Sequence, residues 1–174
     1  MSQFYTSYLS LGSNLNDKFK NLENAVKAID SSIATVLSVS GIYETQAWGF
    51  NGEDFYNICI KIKTSLNPEN LLNQLLALEK SLGRKEKMGT DYENRSIDVD
   101  IILFHNEKRN SKDLQLPHPR AIDRKFVLLP LFDIYDENQP PFTMDSLEQN
   151  IKDCKDNSPI SKIALKLDFN TVTQ

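Results

Sequence analysis

Cysteines and long apolar runs are scarce in this sequence, and each scarcity argues against a class of protein. The two cysteines, Cys59 and Cys154, lie far apart and belong to no Cys-x-x-Cys or Cys/His cluster. This argues against a zinc site or a disulfide framework and fits a reducing cytoplasm. No apolar stretch approaches the length of a transmembrane helix, and the N-terminus lacks a basic region followed by an apolar run. We therefore expect a cytoplasmic protein with no membrane span.

An excess of basic charge is also missing. The formal net charge is −4 and the pI about 5.2, which argues against a broad electrostatic surface for nucleic acid. Any phosphate site must therefore be basic only locally. The length of 174 residues, without repeats or low-complexity segments, predicts one domain covering residues 1–174. Its tail, from about residue 153 to 174, carries no pattern from which a role could be predicted.

The most informative stretch present is the strand pattern at residues 96–104. Four apolar residues take every second position and are expected to face a core: Ile97, Val99, Ile101 and Leu103. The alternation places Asp98 and Asp100 on the opposite face, roughly 6 to 7 Å apart along the strand. Such a pair can be an ordinary solvated face or a shared cation site. As a cation site its oxygen ligands would favour Mg²⁺.

Basic residues and glycines come just before this strand. Arg84 and Arg95 bracket a loop that contains Lys85 and Lys87. Mg²⁺ usually reaches a protein through one or two carboxylates together with substrate phosphates, and Arg and Lys can hold the remaining phosphate charge. The neighbourhood therefore favours a site for a metal-bound phosphate.

The rest of the chain predicts alternating strands and helices. Further strands are expected at 7–12, 35–43, 55–63 and 114–117, and the first of them should end in a turn at Gly12. One helix is expected after a cap at Asn16 or Asp17, and a second between the Asn67 cap and Gly83. Two more are expected from about 126, with a kink or break at Pro130, and near 146. The order strand, helix, strand, strand, helix, strand predicts an α+β fold of the ferredoxin-like split βαβ type. Its antiparallel sheet would be covered on one face by helices.

Three polar residues can be interpreted in two ways. Asn57 follows Phe55 on one face of its strand, and is either a polar residue on a wet face or, with Phe55 and Trp48 nearby, part of a pocket for a flat heterocycle. Glu79 borders an apolar helix stripe, where a surface glutamate is expected. His118 stands between two prolines and close to cationic residues, and is either structural or functional.

Five short motifs occur in the order found in one enzyme family. They are Leu-Gly-Ser-Asn at 11–14, Phe-Tyr-Asn at 55–57, Leu-Glu-Lys-Ser-Leu-Gly-Arg at 78–84, Asn-Arg-Ser-Ile-Asp-Val-Asp at 94–100 and Leu-Pro-His-Pro-Arg at 116–120. Over residues 8–131 the chain thereby resembles the 6-hydroxymethyl-7,8-dihydropterin pyrophosphokinases. Five motifs in order are far more specific than any single one.

The resemblance implies transfer of pyrophosphate from ATP to the hydroxymethyl group of the pterin, with release of AMP, in folate biosynthesis. It also implies two Mg²⁺ ions. From composition and hydropathy we expect neither nucleic acid nor membrane as a partner, and we expect a monomer. The matching positions are Asp98 and Asp100 for the metals, Glu79 for the nucleotide, Arg84, Arg95, His118 and Arg124 for phosphates, and Asn14, Thr45, Trp48, Phe55, Asn57 and Phe126 for the pterin. Arg84, Arg95, Asp98 and Asp100 form the catalytic set. The loop 85–94 would be a lid, in which Tyr92 stands where the family commonly has Trp.

Two other functions are compatible with parts of the pattern. A ferredoxin-like RNA-binding module would use aromatic residues on the sheet for base stacking, although the acidic pI and the aspartate pair count against it. A metal-dependent nucleotide kinase or nucleotidyltransferase would use Asp98 and Asp100 with different products.

Overall fold

The computed structural model describes residues 3–47, 52–83, 94–136 and 142–168. The strands are β1 (Tyr5–Ser13), β2 (Thr35–Val39), β3 (Tyr43–Thr45), β4 (Phe55–Thr64), β5 (Asp98–Phe104), β6 (Arg109–Asn110), β7 (Gln115–Leu116) and β8 (Ile160–Lys162). The helices are α1 (Lys18–Ser32), α2 (Pro68–Ser81), α3 (Lys125–Ile134) and α4 (Met144–Asp153), with a 3₁₀ turn at Ala121–Asp123. Among the described residues no helix is both long and apolar enough to cross a membrane.

The main sheet is antiparallel, with strand order β5-β1-β4-β3-β8. β2 also pairs with β4, so that β2 and β3 together flank one side of this central strand. Leaving β8 aside, this is the order of the split βαβ arrangement, and it confirms the predicted α+β class. β8 comes from the C-terminal tail and was not predicted.

Helices cover both faces of the sheet, so the prediction of one covered face is wrong. α1 and α2 pack on one face, over a core that includes Leu9, Ile58 and Ile60. α3 packs on the other face, with α4 against it, over a second core that includes Tyr8 and Cys59. The second core was not predicted because its few strand residues, such as Tyr8 and Cys59, do not form an apolar alternation, and its helical residues lie late in the chain.

Three strand boundaries differ from the predictions. β1 runs through Gly12 to Ser13 instead of ending in a turn there. The predicted strand 35–43 is two strands, β2 and β3, and β6 lies at Arg109–Asn110, where no strand was predicted. In β5 the pairing with β1 shifts by one residue at Ile102, which turns Leu103 towards the second core instead of the first. A one-residue bulge has this effect because side chains alternate between the faces of a strand.

The helix ends agree with local capping chemistry. The side chain of Asp17 accepts the Lys20 amide at the start of α1, and that of Asn67 accepts the Asn70 amide at the start of α2, where Pro68 is the first residue. Gly83 follows α2 with φ of 92°, the left-handed conformation that glycine adopts without strain. Pro130 lies inside α3 and does not end it.

Candidate active site

A cavity of about 840 Å³ opens at one end of the sheet, on the face that carries α3. Strand register forms its floor: Gly12 of β1 pairs with Asp98 on one side and with Asn57 on the other. Two residues along β1, Ser10 pairs with Asp100. Alternation makes all of these side chains point to the same face, so the two aspartates and Asn57 are brought to one cavity from strands far apart in sequence.

Gly12 keeps the centre of this floor open. A Cβ atom placed there would lie 3.3 Å from Oδ1 of Asn57 and 3.6 Å from Cδ1 of Phe55. Any side chain at this position would therefore crowd the space between the aspartates and the Asn57 amide. The prediction of a turn at Gly12 is wrong. Gly12 lies within β1, where the absence of a side chain leaves the cavity floor open.

The Asn57 amide is held in one orientation. Its Nδ2 donates to the Tyr43 carbonyl oxygen at 3.2 Å and to Oγ1 of Thr45 at 3.0 Å, and the residue is only 4% exposed. Both amide hydrogens are thereby used, and Oδ1 is directed towards Gly12 and the cavity. Asn57 therefore offers the cavity a hydrogen-bond acceptor. Thr45, predicted as a substrate-binding residue, also lines the cavity.

Arg95 and Asp98 form an ion pair on the β5 side of the floor. Nη1 of Arg95 lies 2.6 Å from Oδ2 of Asp98, and both side chains are largely buried. The backbone of Arg95 is fixed by Asn14: the Arg95 amide donates to Oδ1 of Asn14 at 2.7 Å, and the Asn14 amide donates to the Arg95 carbonyl at 3.1 Å. Asn14 is fully buried, and its Nδ2 donates to Asn94 and to the Glu53 carbonyl. It joins the loops beside the cavity.

The opposite wall is formed by the start of α3 and the turn before it. Phe126 lines the cavity across from the strand that bears Phe55, and the Arg124 guanidinium lies over the Phe126 ring at 5.5 Å from its centroid. Among the described residues the basic side chains lining the cavity are Arg95, Arg120, Arg124, Lys125 and Lys155, and the acidic ones are Asp98, Asp100, Asp123 and Asp156. The cavity is thus more basic than the chain as a whole.

His118 lies beside this wall. Its amide donates to the Ile102 carbonyl, and its Nδ1 accepts the Arg120 amide at 3.2 Å. Burial lowers the pKa of His118, as do the nearby Arg124 and Arg120 cations, while Asp98 acts in the opposite direction. The imidazole is therefore neutral at pH 7 with Nδ1 as an acceptor, which leaves its proton on Nε2.

Glu79 is not the surface residue expected from its position on α2. It is 1% exposed, and its Oε1 accepts the Val99 amide at 2.6 Å. The carboxylate therefore attaches α2 to β5 between the two aspartates. The signal in the sequence was weak: an acidic residue bordering an apolar stripe becomes buried only when a neighbouring strand offers it an amide hydrogen.

Arg84, Trp48 and the predicted lid 85–94, apart from Asn94, lie outside the described residues. Several cavity residues were not predicted: Ser10, Gly12, Gln46, Arg120, Asp123, Lys125 and the tail residues Lys155, Asp156, Asn157, Ser158 and Ile160. The cations were visible in sequence as a cluster before an apolar helix. In the part of the chain that the structure describes, no three His, Cys, Asp or Glu side chains converge as metal ligands.

Comparison with known proteins gives a consistent family. The family model described as 7,8-dihydro-6-hydroxymethylpterin-pyrophosphokinase matches residues 8–136. A 2-amino-4-hydroxy-6-hydroxymethyldihydropteridine pyrophosphokinase from Porphyromonas gingivalis is 40% identical over 130 residues, which are 73% of this chain and 88% of that protein. One of the same name from Bacillus subtilis is 38% identical over 145 residues, 82% of this chain and 86% of that protein.

Solved structures show the same fold at low sequence identity. A Plasmodium falciparum HPPK-DHPS crystal structure superimposes with a TM-score of 0.65 at 16% identity, over 86% of this chain. The chain spans 46% of that longer protein. At this identity the likeness supports the fold alone.

Proposed function

The chain belongs to the 7,8-dihydro-6-hydroxymethylpterin-pyrophosphokinase family, and we propose that the cavity between the sheet and α3 is where it carries out the family's reaction. That reaction transfers pyrophosphate from ATP to the hydroxymethyl group of 6-hydroxymethyl-7,8-dihydropterin and releases AMP, a step of folate biosynthesis. The observation that carries this assignment is the floor of the cavity, where an aspartate pair on β5 and an oriented amide on β4 lie on either side of β1.

The pterin end of the cavity is formed by Asn57, Thr45, Phe55 and Phe126. The fixed Oδ1 of Asn57 would accept a hydrogen bond from an N–H group on the edge of the heterocycle, while the two phenylalanine rings contact its faces. Gly12 leaves room for the ring to approach the floor. This arrangement would direct the hydroxymethyl oxygen towards the aspartates.

The triphosphate end is formed by Asp98, Asp100 and the basic side chains. Two carboxylates on alternate positions of one strand are hard oxygen ligands of the kind that suit Mg²⁺, and phosphate oxygens of ATP would complete the ligand set. The donor set therefore fits two Mg²⁺ ions, which would neutralise charge on the phosphates. Arg95 and Arg124 would bind phosphate oxygens, and Arg95 would exchange part of its contact with Asp98 for them.

Catalysis in this proposal consists of positioning and charge neutralisation. Phosphoryl-type transfer needs its nucleophile and leaving group in line and its developing charge stabilised, and it does not require a strong base. The neutral His118 would donate from Nε2 to a phosphate oxygen. We assign no residue as a general base.

Four further residues keep roles that we propose on the family resemblance. Asn14 would act on substrate through Arg95, whose backbone it holds, and Glu79 would act on the nucleotide end through the Val99 amide. Arg84 would contact phosphate and Trp48 would border the pterin.

We also propose that the protein works as a monomer of one domain, residues 1–174, in the cytoplasm. The two cores lie on opposite faces of one shared sheet, which supports a single folding unit. Cys59 and Cys154 are both free, which fits a reducing compartment.

Product analysis tests the proposed function. The purified chain is incubated with ATP, Mg²⁺ and 6-hydroxymethyl-7,8-dihydropterin, and the nucleotides are separated by chromatography. We expect AMP, formed only when the pterin and Mg²⁺ are both present. ADP would instead indicate a kinase, and free pyrophosphate a nucleotidyltransferase; either product would overturn the proposal.

A further inference from the structure

The segment after α4 lies beyond the residues that the family model matches, which end at 136, yet it forms part of the cavity wall. The residues of this segment that line the cavity are Lys155, Asp156, Asn157, Ser158 and Ile160. They face the same space as Asn57, Phe55 and Phe126. The tail thus borders the end of the cavity to which we assign the pterin.

One anchor of this segment is β8. Ile160 pairs with Thr45 and Lys162 with Tyr43 in an antiparallel ladder. The Lys162 ammonium is 2.8 Å from Oδ2 of Asp133 on α3, and it lies over the Tyr43 ring at 5.3 Å from the centroid. The tail therefore supports Thr45, which in turn holds the Asn57 amide.

The other anchor is Asp156, which is attached to the start of α3. Its Oδ2 accepts the Lys125 amide at 3.2 Å, and its Oδ1 accepts the Ser158 amide at 3.0 Å. Lys125 is the first residue of α3, where backbone amides lack partners within the helix and a negative charge is favourable. Arg124 and Phe126 flank Lys125, so this contact fixes the backbone between two cavity residues.

The protonation state of Asp156 agrees with this contact. Partial burial disfavours its charged form, but hydrogen bonds from the Ser158 hydroxyl and amide and from the Lys125 amide outweigh it and lower the pKa. The carboxylate is therefore ionised at neutral pH, with an oxygen for each of the two amides.

We propose that Asp156 is a positioning residue for the pterin: it holds the start of α3 so that Phe126 faces Asn57 across the cavity. The segment 155–160 joins the two walls that carry these residues, through Lys125 on one side and Thr45 on the other. The inference rests on the proposed function, because the substrate whose binding it affects is the one assigned there.

Steady-state kinetics of the full chain and three variants test this role. Asp156→Ala removes both acceptor oxygens, whereas Asp156→Asn keeps one and should rescue part of the effect. Asp153→Ala is the matched control: it removes an exposed carboxylate at the end of α4 that accepts from Gln149. Thermal unfolding of each variant is measured alongside.

We expect Asp156→Ala to raise the KM for the pterin about tenfold and Asp156→Asn about threefold, because a displaced aromatic wall costs binding and orientation. The KM for ATP should change by less than about threefold, since Arg124 is the only group assigned to the triphosphate that is next to Lys125, and Asp98, Asp100 and Arg95 are held by other contacts. Asp153→Ala should leave both values within about twofold of the unchanged chain.

Two outcomes would overturn the inference while leaving the proposed function intact. One is a lowered melting temperature of Asp156→Ala with an unchanged KM for the pterin, which would make the residue purely structural. The other is an equal rise in both KM values. If the unchanged chain forms no AMP at all, the proposed function fails and the inference fails with it.

Discussion

The two faces of the central sheet are built from the same strands but have different contents. On the face covered by α1 and α2, which we call the closed face, apolar side chains are buried from one end to the other. On the face covered by α3, which we call the cavity face, apolar residues such as Tyr8 and Leu103 fill one end. Aspartates and an asparagine border a cavity at the other end. Neighbouring residues in sequence therefore lie in a buried core on one face and beside the cavity on the other.

This separation is sharpest in β4 and β5, where Ile58 follows Asn57 and Val99 follows Asp98. Ile58 is fully buried and Val99 nearly so, both on the closed face. Because side chains alternate, replacing one residue of each pair changes one face and leaves the other side chain in place. Each pair offers a test of whether stability and activity can be changed independently.

The largest effect is expected from Asp98→Ala or Asp100→Ala. Either change should lower kcat/KM by a factor of about 100 to 1,000, because it removes a carboxylate to which we assign the Mg²⁺-bound phosphates. Melting temperature should change little in Asp100→Ala, since Asp100 is exposed, and more in Asp98→Ala, which also removes the ion-pair partner of Arg95. Initial rates and thermal unfolding of the same preparations check both expectations.

Val99→Ala is the control for those variants. It should lower the free energy of unfolding by about 1 to 3 kcal/mol while the folded protein keeps most of its activity. Full activity in Asp98→Ala, or a loss of activity in folded Val99→Ala as large as in Asp98→Ala, would contradict the division between the faces.

A smaller effect is expected from Asn57→Ala. The change removes an acceptor directed into the cavity, and pterin affinity measured by calorimetry should fall about tenfold to 100-fold. Ile58→Val should instead lower the free energy of unfolding by about 0.5 to 1.5 kcal/mol with no change in affinity. Equal affinities for Asn57→Ala and the unchanged chain would remove Asn57 from the site.

Glu79 lies on the closed face and accepts the Val99 amide, which is next to Asp98 and Asp100 of the cavity face. Its replacement should therefore affect both stability and activity. Glu79→Ala leaves the Val99 amide buried without its acceptor, so the free energy of unfolding should fall by about 1 to 3 kcal/mol. Activity should fall as well, because the same amide lies between the two aspartates. Glu79→Gln retains an oxygen acceptor and should recover most of both losses. A Gln variant as impaired as the Ala variant would show that charge, and not the hydrogen bond, is what matters.

The smallest effect concerns pH. Because the pKa of His118 is lowered in the folded chain, the unfolded chain binds the proton more tightly. Stability associated with His118 is therefore present above its unfolded pKa of about 6.5 and is lost as the pH falls through the lower folded value. His118→Asn should show a smaller loss of stability between pH 7.5 and 5.5 in urea unfolding. An unchanged pH dependence would contradict this.

Sequence patterns predicted the closed face well and the cavity face in part. Alternation assigned Ile97, Val99 and Ile101 to a core, and the paired aspartates to the opposite side, because both depend only on local periodicity. The burial of Glu79 depends on a strand amide twenty positions away. Gly12 leaves space in the cavity floor only because β4 and β5 pair with β1 on either side of it. These features follow from tertiary pairing, which local patterns do not contain.

The tail was the least predictable region. Residues 154–162 have neither strong periodicity nor a motif, yet their contacts with Tyr43, Thr45 and Lys125 connect two walls of the cavity. A three-residue edge strand and one carboxylate contact are too short to leave a signal in sequence. These contacts border the cavity because the segment after α4 runs back beside β3 and the start of α3.

Backbone amide NMR of the chain titrated with 6-hydroxymethyl-7,8-dihydropterin and a non-hydrolysable ATP analogue with Mg²⁺ tests the central claim most directly. We predict that the largest shift changes cluster at the cavity end of β1, β4 and β5, at the start of α3 and in residues 155–160. Changes concentrated in α1 and α2, or at the apolar end of the cavity face, would contradict the account.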